Sequence, residues 1–321
     1  MKTPQPPAPH DGESTAAPFR SGFAALLGDL NAGKSTLLNR LAGSKVAIVT
    51  PKPQTTRNQI RAVRNSRGGQ IVFLDTPGFV RGRRLNALNR ELVRRALDAA
   101  ADVDVRILVL DGSTLVGREE RIDDLVRFLS REDNLAPDIL VVNKVDVIEK
   151  RALLPLIAAL DQRFAALVRK PRAIVPLSAA TGDGVERLEA EVLSLLPEGP
   201  AYFPEGMTTD QPERFLAAEL IREKLFLALR EELPYCVSVR VEHWEEDTKI
   251  LTIFAVISVE RPSQKGMVIG KGGTVLKDVG TKARTELERL LGKKINLQLQ
   301  VVVEKDWTKT ARGMTRAGAG D

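Results

Sequence analysis

Short apolar runs alternate with amphipathic stretches over the first two hundred residues. The apolar runs predict buried strands at Phe23–Leu27, Gln70–Leu74, Val105–Leu110, Ile139–Val142 and Ala173–Leu177. Helical periodicity follows them at Thr36–Leu41, Asn86–Ala101, Arg118–Ser130, Lys150–Val168 and Val185–Leu196. Gln59–Val63 alternates as an edge strand does, before a hairpin turn at Ser66–Gly69. Strands that alternate with helices predict an α/β domain with a mostly parallel, doubly wound sheet.

The pattern changes after residue 197. Pro197–Pro212 is rich in Pro and Gly and has no periodicity, which predicts a linker over 198–212. Beyond it we predict a helix, two strands, a second helix and a last strand at Glu213–Glu231, Cys236–Val241, Ile250–Val259, Thr274–Leu291 and Ile295–Val303. A chain of 321 residues has room for two domains. We place them at 21–197 and 213–308, with disordered tails at 1–20 and 309–321.

Composition and charge narrow the function classes. Hydrophobic residues make up 43% of the chain and aromatic residues only 4%, so the cores are aliphatic. The one cysteine, Cys236, excludes an intrachain disulfide, fits a reducing compartment and is expected to be a buried core thiol. Two histidines without Cys neighbours argue against zinc or His-based catalysis. The sequence shows neither a membrane-spanning stretch nor a secretory signal.

Charge is unevenly distributed in the second domain. Residues 203–260 carry 6 basic and 12 acidic side chains, whereas residues 261–321 carry 13 basic and 6 acidic ones. A concentrated basic face suggests a polyanion partner, and a solvated surface is the alternative.

Gly28–Ser35 reads Gly-Asp-Leu-Asn-Ala-Gly-Lys-Ser, between a predicted strand and a predicted helix. This is the pattern of a phosphate-binding P-loop, for which an ordinary glycine turn is the alternative. The glycines let backbone N–H groups point inward, and the helix N-terminus adds partial positive charge. Lys34 supplies a charge to the outer phosphates, and the Ser35 hydroxyl is placed for Mg²⁺.

Asp75-Thr76-Pro77-Gly78 follows another predicted strand. Asp75 is a candidate for holding Mg²⁺ through water, and the Gly78 N–H for contacting a γ-phosphate. Thr56, in the polar segment between the two motifs, is the candidate for closing onto Mg²⁺, and Thr55 is the alternative.

Asn143-Lys144-Val145-Asp146 indicates which base is bound. The Asp146 carboxylate can accept two hydrogen bonds from N1–H and the amine of guanine, whereas adenine would leave it unpaired. Asn143 would support the base edge and neighbouring loops, and the stem of Lys144 would lie over the ring. A polar strand end is the alternative for the tetrapeptide alone.

Together these motifs resemble those of the Ras-like GTPases, and they lie at the carboxyl ends of strands, where ligands bind. The resemblance implies in-line attack of water on the γ-phosphate of GTP, with Lys34 and Mg²⁺ neutralising the developing charge. The expected catalytic residues are Lys34, Thr56 and Gly78, and the expected metal ligands are Ser35, Thr56 and Asp75. The expected nucleotide-binding residues are Gly28, Asn31, Ala32, Gly33, Lys34, Ser35, Thr36, Asp75, Gly78, Asn143, Lys144, Asp146, Ser178 and Ala179. In this group Ser178 and Ala179 fit the loop whose backbone N–H contacts guanine O6.

Three features near these motifs modify the expectation. Phe79 stands where Ras-like enzymes use Gln to orient water, so we expect slow intrinsic hydrolysis. Asn31 matches a P-loop asparagine that coordinates K⁺ in some GTPases, so K⁺ stimulation is a hypothesis. A solvated helix face and a nucleotide-dependent contact with RNA or a partner both remain open for the arginines Arg81, Arg83, Arg84, Arg90, Arg94 and Arg95.

Val268–Gly273 carries a Gly-x-x-Gly loop that joins two short helices. With the helix before the loop, the order becomes α-β-β-α-α-β, which matches a type II KH domain. Such a loop grips the backbone of about four nucleotides while the bases lie in an apolar groove, and a structural turn is the alternative. The candidate RNA-binding residues are Ile269, Gly270, Lys271, Gly272 and Gly273. Further candidate phosphate contacts are Lys265, Lys277, Lys282, Lys293 and Lys294. Trp307 is a candidate either for stacking on a base or for anchoring the chain end.

A Ras-like GTPase domain followed directly by an α+β type II KH domain resembles the Era family over residues 22–308. The resemblance is carried by Asn31–Asn39, Pro53–Arg57, Asp75–Gly78, Asn143–Asp146, Phe215–Lys224, Glu232–Tyr235 and Val268–Gly273. It implies a GTPase, cycling between GTP and GDP, that binds the 3′ end of 16S rRNA and matures the 30S subunit. It also implies a cytoplasmic protein with peripheral association with the inner membrane. Leu30, where the family usually has Pro, and Asp29 are departures that should alter loop stiffness or affinity.

Two other functions are compatible with the sequence. One is an RNA-binding assembly module whose GTPase switches affinity and hardly turns over alone, which Phe79 would favour. The other is a GTPase that takes part in RNA modification, and the sequence offers no cysteine placed for catalysis and no second catalytic constellation to support it.

Overall fold

The computed structural model describes residues 18–52, 60–78, 94, 98, 100–131, 136–305 and 307. Its strands are β1 (Arg20–Leu27), β2 (Ile60–Ser66), β3 (Gly69–Asp75), β4 (Val105–Asp111), β5 (Ile139–Asn143), β6 (Ala173–Pro176), β7 (Ser238–Glu246), β8 (Ile250–Val259) and β9 (Lys294–Val303). Its α-helices are α1 (Lys34–Ala42), α2 (Glu119–Leu129), α3 (Lys150–Phe164), α4 (Val185–Leu195), α5 (Glu213–Ala228), α6 (Pro262–Ile269) and α7 (Thr274–Leu291).

The first six strands form one sheet in the order β2-β3-β1-β4-β5-β6. All neighbours pair in parallel except β2, which is antiparallel to β3 at the edge, as its alternating pattern predicts. Every residue of β3 and β5 is buried, because helices cover both faces of a parallel sheet. The parallel strands end at one edge of the sheet, so Leu27, Asp75, Asp111 and Asn143 gather there.

Aliphatic side chains form the two cores of this sheet. On one face α1 and α4 contribute Leu37 and Leu188, and on the other α2 and α3 contribute Leu125 and Phe164. Each of these side chains is at most 1% exposed. Burial of such a side chain contributes about 1.5–3 kcal/mol, which fixes the helices that carry the site.

Strands β7, β8 and β9 form a second sheet, in that order. β8 pairs antiparallel with β7 and parallel with β9. α5 and α7 cover it with Ile221, Leu225, Val279 and Ala283, all buried in one cluster. The order α5-β7-β8-α6-α7-β9 is the one predicted for a type II KH domain.

The structure corrects one prediction at the start of this second domain and decides between two alternatives at its end. Cys236 ends a 3₁₀ helix, Leu233–Cys236, and is partly exposed, so the predicted buried thiol is wrong. The strand predicted from Cys236 begins two residues later, at Ser238. Trp307 is 4% exposed, and its Nε1 donates to the Cys236 carbonyl at 3.2 Å, so it anchors the chain end rather than stacking on a base.

The segment between the two domains is bound to the first sheet. The Gln70 side chain donates to the Phe203 carbonyl at 2.8 Å and accepts from the N–H of Phe203 at 2.9 Å. The Val63 N–H donates to the Thr208 carbonyl at 2.9 Å. The first domain begins one residue earlier than predicted. Strand β1 starts at Arg20, the last residue of the predicted tail 1–20, because Arg20 pairs with Gly69. The predicted helix Asn86–Ala101 lies largely outside the described residues.

An ionic cluster joins the two domains. Lys45, which follows α1, contacts Glu223 of α5 at 2.7 Å and Glu286 of α7 at 2.5 Å. Lys224 lies 3.0 Å from Glu223 and also contacts Glu286. Burial alone would raise the pKa of Glu286, but hydrogen bonds and charge from Lys224 and Lys45 hold it below its ordinary value. Burial likewise opposes the change at Lys224, whose pKa is raised by the two carboxylates.

Candidate nucleotide and RNA sites

The P-loop turns sharply at Gly28 and Gly33, which have φ of +145° and +94°. A Cβ at Gly28 would lie 2.3 Å from the Val109 carbonyl oxygen, and one at Gly33 would lie 2.3 Å from Asn143 Nδ2. Side chains rarely adopt such φ values, and neither position has room for one. The two glycines therefore let neighbouring strand ends approach the loop closely.

Lys34 is enclosed at the start of α1. Its side chain is 6% exposed, and its Nζ donates to the carbonyls of Gly28 and Asp29, each at 2.9 Å. Burial lowers the pKa of the Lys34 ammonium, while the charges of Asp75 and Asp29 act in the opposite direction. The P-loop thus surrounds the Lys34 side chain, and the Lys34 ammonium lies at the N-terminal end of α1.

Ser35 and Asp75 meet beside this lysine. Ser35 Oγ donates to Asp75 Oδ2 at 2.6 Å, and Asp75 is fully buried at the end of β3. One hydroxyl and one carboxylate are hard oxygen donors of the kind Mg²⁺ takes together with substrate phosphates and water. The pair fits that metal. Among the described residues no group of three His, Cys, Asp or Glu side chains could hold a metal alone.

Gly78 lies directly against the P-loop. A Cβ there would be 2.8 Å from Leu30 Cδ2 and 3.0 Å from the Leu30 backbone nitrogen. Leu30, the departure from the family's usual Pro, therefore packs on the glycine expected to contact the γ-phosphate. Thr76 fixes the same turn, because its Oγ1 donates to the Leu26 carbonyl at 2.8 Å.

Asn143 joins the P-loop to the loop after β6. Its Nδ2 donates to the Ala32 carbonyl at 2.8 Å, and its Oδ1 accepts from the Ala179 N–H at 2.9 Å and the Lys144 N–H at 2.8 Å. The side chain is 2% exposed. Asn143 is thus a buried bracket between the P-loop and the loop after β6, and Ser178, also buried, begins that second loop.

Lys144 and Asp146 are the other residues of the motif that is predicted to contact the base, and Lys144 lines the cleft. Lys144 has φ of +65°, and its Nζ lies 2.6 Å from Asp111 Oδ2. Asp111 ends β4 and also accepts from Ser113, so it fixes the lysine over the cleft. Sequence reasoning missed Asp111, although its place at a strand's carboxyl end is the same signal that identified Asp75. Asp146 is exposed in the short 3₁₀ helix after β5.

The cleft is lined by residues from the P-loop, from the segment after α1 and from two strand ends: Leu30, Asn31, Gly33, Lys34, Ser35, Thr36, Ile48, Val49, Thr50, Pro51, Lys52, Gly78 and Lys144. Asn31, at φ +60°, donates from Nδ2 to the Pro51 carbonyl at 3.3 Å. Thr55, Thr56 and Phe79 lie outside the described residues, as do five of the six arginines. Arg94 is described, and its exposed side chain pairs with Asp98 at 3.6 Å.

The Gly-x-x-Gly loop links α6 to α7 at an exposed edge of the second domain. Gly270 has φ +77° and ψ 168°, and a Cβ there would lie 2.6 Å from Val275 Cγ2. Gly272 and Gly273 have φ of +61° and +77° and face open space. Lys271, between Gly270 and Gly272, is exposed, so its charge and the glycine backbone are presented together to solvent.

A groove runs from this loop between α7 and β9. Its lining residues are Gly273, Leu276, Lys277, Gly280, Thr281, Arg284, Ile295, Asn296, Leu297 and Leu299. Leu276, Leu297 and Leu299 give it an apolar floor, and Lys277 and Arg284 add charge at its rim. The prediction found the loop and Lys277 but missed the floor, which only the pairing of β9 with β8 brings beside α7. Ile269 packs on the core below the loop.

Two family models match the chain. The model described as "50S ribosome-binding GTPase" covers residues 23–144, and the model described as "KH domain" covers residues 232–308. GTPase Era of Geobacter metallireducens is 46% identical over 303 residues, which are 94% of this chain and 98% of that protein. GTPase Era of Carboxydothermus hydrogenoformans is 44% identical over 90% of this chain and 94% of that protein.

Solved structures of Era proteins also match this chain. A crystal structure of an Aquifex aeolicus Era variant bound to GDP·AlF4⁻ superposes with a TM-score of 0.83 at 36% identity. A crystal structure of Era with MgGDPNP and nucleotides 1506–1542 of 16S ribosomal RNA gives 0.84 at 36% identity. Each match covers 94% of this chain and 100% of the other.

Fold and sites define a Ras-like P-loop GTPase domain followed by a KH domain. With the identities and coverages above, the chain belongs to the Era family of GTPases. Measured over the described part of the chain, every helix is too short or too polar to cross a membrane.

Proposed function

We propose that the cleft at the P-loop binds GTP and GDP with Mg²⁺ through the predicted nucleotide-binding residues, and that the α7–β9 groove binds the 3′ end of 16S rRNA during 30S maturation. The observation that carries the nucleotide site is the bracket formed by Asn143, which bonds to both Ala32 and Ala179. It brings a phosphate loop and a base loop to the same cleft. We place the GTPase domain at 21–197, the linker at 198–212 and the KH domain at 213–308.

The chemistry of the cleft follows from its own residues. Lys34 can exchange the Gly28 and Asp29 carbonyls for phosphate oxygens, which places its ammonium where negative charge develops during phosphoryl transfer. Ser35 and Asp75 would hold Mg²⁺, which supplies further charge neutralisation when bound. Gly78 would present its N–H to the γ-phosphate from beside Leu30. Thr56, or Thr55 as the alternative, would complete the metal site.

The base-recognition step has a direct test. Asp146→Asn replaces an acceptor by an amide that can donate to the C2 carbonyl of xanthine, so affinity should move from GDP toward xanthosine diphosphate. We expect roughly 10²-fold or more in the ratio of the two affinities, measured by calorimetry. Glu149→Gln, an exposed carboxylate just beyond the motif, is the control. An unchanged ratio would remove Asp146 from the base site.

The RNA proposal rests on the groove and on a relative. The solved Era complex contains MgGDPNP and nucleotides 1506–1542 of 16S ribosomal RNA, and its chain is 36% identical to this one. In this chain the Gly-x-x-Gly loop has glycines that face open space and an exposed Lys271. The groove beside the loop has apolar lining residues from both α7 and β9. Those features suit single-stranded RNA, whose backbone is gripped while its bases lie on apolar surface.

The experiment measures binding of a short oligonucleotide from the 3′ end of 16S rRNA with GDPNP and with GDP. Gly272→Asp should weaken it at least tenfold, because a carboxylate would face the phosphates. Gly272→Asn is the matched control: Asn and Asp tolerate the left-handed backbone similarly, and the space is open. Equal losses in both variants would contradict a phosphate contact. Equal binding with GDPNP and GDP would contradict a nucleotide-dependent switch.

The rate of GTP hydrolysis distinguishes a GTPase with slow intrinsic turnover from an RNA-binding module that hardly hydrolyses GTP alone. We propose slow intrinsic turnover on the basis of Phe79, and a module that only switches RNA affinity is the alternative. Phosphate release from GTP by the isolated protein, with and without the oligonucleotide, separates them. Turnover that stays negligible in both conditions favours the alternative.

Two finer points belong to the same proposal. K⁺ stimulation is supported by Asn31, whose amide reaches the Pro51 carbonyl across the cleft at 3.3 Å. Equal turnover in KCl and NaCl would contradict it. A cytoplasmic location with peripheral contact at the inner membrane is supported by the family resemblance alone, and flotation with anionic vesicles tests that contact.

A further inference from the structure

Arg40 touches the loop after β6 from outside the motifs. It lies near the end of α1, and its Nε donates to the Ala179 carbonyl at 3.3 Å. Its Nη2 also donates to the Ala180 carbonyl. A Cβ at Gly182 would lie 3.6 Å from Arg40 Cδ, Nε and Cζ, which is ordinary packing distance. One guanidinium therefore holds two successive carbonyls and packs on the same loop.

The other side of this loop is held by different groups. The Ala179 N–H donates to Asn143 Oδ1 at 2.9 Å, and the Gly182 N–H donates to the Ser178 carbonyl at 2.8 Å. Asn143 and the loop's own turn thus fix its N–H groups. Among the described residues, the Arg40 side chain supplies the contacts to the Ala179 and Ala180 carbonyls.

A trans peptide is planar, and its C=O and N–H point in opposite directions. Holding the Ala179 carbonyl on the α1 side therefore directs the Ala180 N–H to the opposite side of the loop. The next amide, the Thr181 N–H, donates to Ser178 Oγ at 3.1 Å. Arg40 shares α1 with Lys34 and Ser35, so the helix that begins at the P-loop also sets the direction of the Ala180 N–H.

We propose that Arg40 is a positioning residue for guanine recognition, which aligns the Ala179–Ala180 backbone toward O6 of the base. This inference rests on the proposed nucleotide site. A fork of donors suits two neighbouring carbonyls better than the single ammonium of lysine. The side chain is exposed, so its effect should be modest, and it should appear in base selectivity rather than in loss of fold.

The test compares three diphosphates by calorimetry in the full chain. GDP is the reference. Inosine diphosphate lacks only the 2-amino group that Asp146 would bind. In 6-thioguanosine diphosphate a weakly accepting sulfur replaces O6, while N1–H and the amine remain. Arg40→Ala should weaken GDP about threefold to tenfold. It should reduce the preference for GDP over the thio analogue by a similar factor and leave the preference over inosine diphosphate unchanged.

Controls separate the alternatives. Arg40→Lys should lie between wild type and Arg40→Ala, and Arg151→Ala, an exposed arginine on α3, should match wild type. At the C-terminus of α1 the Gly43 N–H donates to the backbone carbonyl of Arg40, and both variants keep that carbonyl. If Arg40→Ala weakened the binding of all three ligands equally, the inference would be overturned in favour of a merely structural role. If Arg40→Ala weakened none of them, the inference would also be overturned. Failure of the wild-type protein to bind GDP would instead overturn the proposed nucleotide site.

Discussion

Two glycine loops in this chain are built to meet phosphates, and they do so in opposite ways. The P-loop is enclosed: Gly33 stands against Asn143, and Lys34 is 6% exposed. The Gly-x-x-Gly loop is open: a Cβ at Gly272 would meet nothing within 4 Å, and Lys271 is exposed. Both glycines have positive φ, at +94° and +61°. The difference is therefore in the surroundings and not in the backbone.

Enclosure and exposure suit different ligands. A desolvated ammonium surrounded by fixed dipoles interacts strongly with charge, because the local dielectric is low. It can serve only a ligand that fits one geometry, such as a nucleotide's phosphates. An exposed lysine beside bare backbone interacts more weakly and is screened by salt, but it accommodates a chain that arrives in many conformations. The fold thus gives the same residue types two different strengths.

The largest effect should come from placing the same methyl group in each loop. Gly33→Ala adds a left-handed strain of about 1–2 kcal/mol and forces Asn143 from its buried bonds, at about 1–3 kcal/mol more. GDP affinity should fall on the order of hundredfold. Gly272→Ala carries only the strain, which is present with and without RNA and therefore lowers stability rather than affinity, so its oligonucleotide affinity should fall no more than severalfold. Calorimetry with GDP and fluorescence anisotropy with the oligonucleotide measure the two.

Each variant is the control for the other. Gly33→Ala should leave binding of the oligonucleotide in the GDP-free protein unchanged, and Gly272→Ala should leave GDP binding unchanged. Losses of similar size in the two loops would show that the close approach of Asn143 does not matter, and the contrast between enclosed and open loops would fail.

Much of the candidate nucleotide site could be predicted from the sequence, because its motifs depend on the local order of strands, loops and helices. A strand, a glycine loop and a helix in succession identify the P-loop, and Asp75 and Asn143 follow from their places after apolar runs. Asp111 also follows an apolar run, but its pairing with Lys144 could not be found in that way, and neither could the contact of Arg40 with Ala180. The partners in each pair are distant in the chain, and only the packing of the sheet brings them together.

The second domain shows the same limit. The Gly-x-x-Gly loop and the bounds of α7 are local signals, and both are confirmed. The strand predicted from Cys236 starts two residues later, because Cys236 still belongs to a 3₁₀ helix and its carbonyl accepts from Trp307. The contact between Lys45 and Glu286 joins residues that are far apart in the sequence, so neither hydrophobic periodicity nor a sequence motif predicts it.

An intermediate effect should come from that junction, which decides whether the two loops belong to one rigid unit. Glu286→Gln removes a carboxylate bonded to Lys45 and Lys224. Its lowered pKa means that the folded protein favours the charged form, so its stabilisation is complete above the ordinary carboxyl pKa of about 4.3. The variant should be less stable at pH 7 by about 1–2 kcal/mol. The gap should narrow as pH falls below about 4, because wild type then loses that stabilisation.

Urea unfolding across a pH series measures this gap. Asp278→Asn is the control, because it breaks an exposed pair with Lys282 on the same helix and should change stability little. A gap that persists unchanged into acid would show that the charge of Glu286 contributes nothing to joining the domains.

The smallest effect should come from Lys271, and it should show in salt dependence more clearly than in affinity. Removing one phosphate contact from a single-stranded complex reduces the slope of log affinity against log salt by about 0.7. Lys271→Ala should therefore weaken the oligonucleotide about twofold to fivefold at low salt and less at high salt. Lys170→Ala, an exposed lysine of the first domain paired with Asp161, should keep the wild-type slope. An unchanged slope in Lys271→Ala would mean that the open loop holds RNA by its backbone and its groove alone, and the charge attributed to it would have to be found along α7.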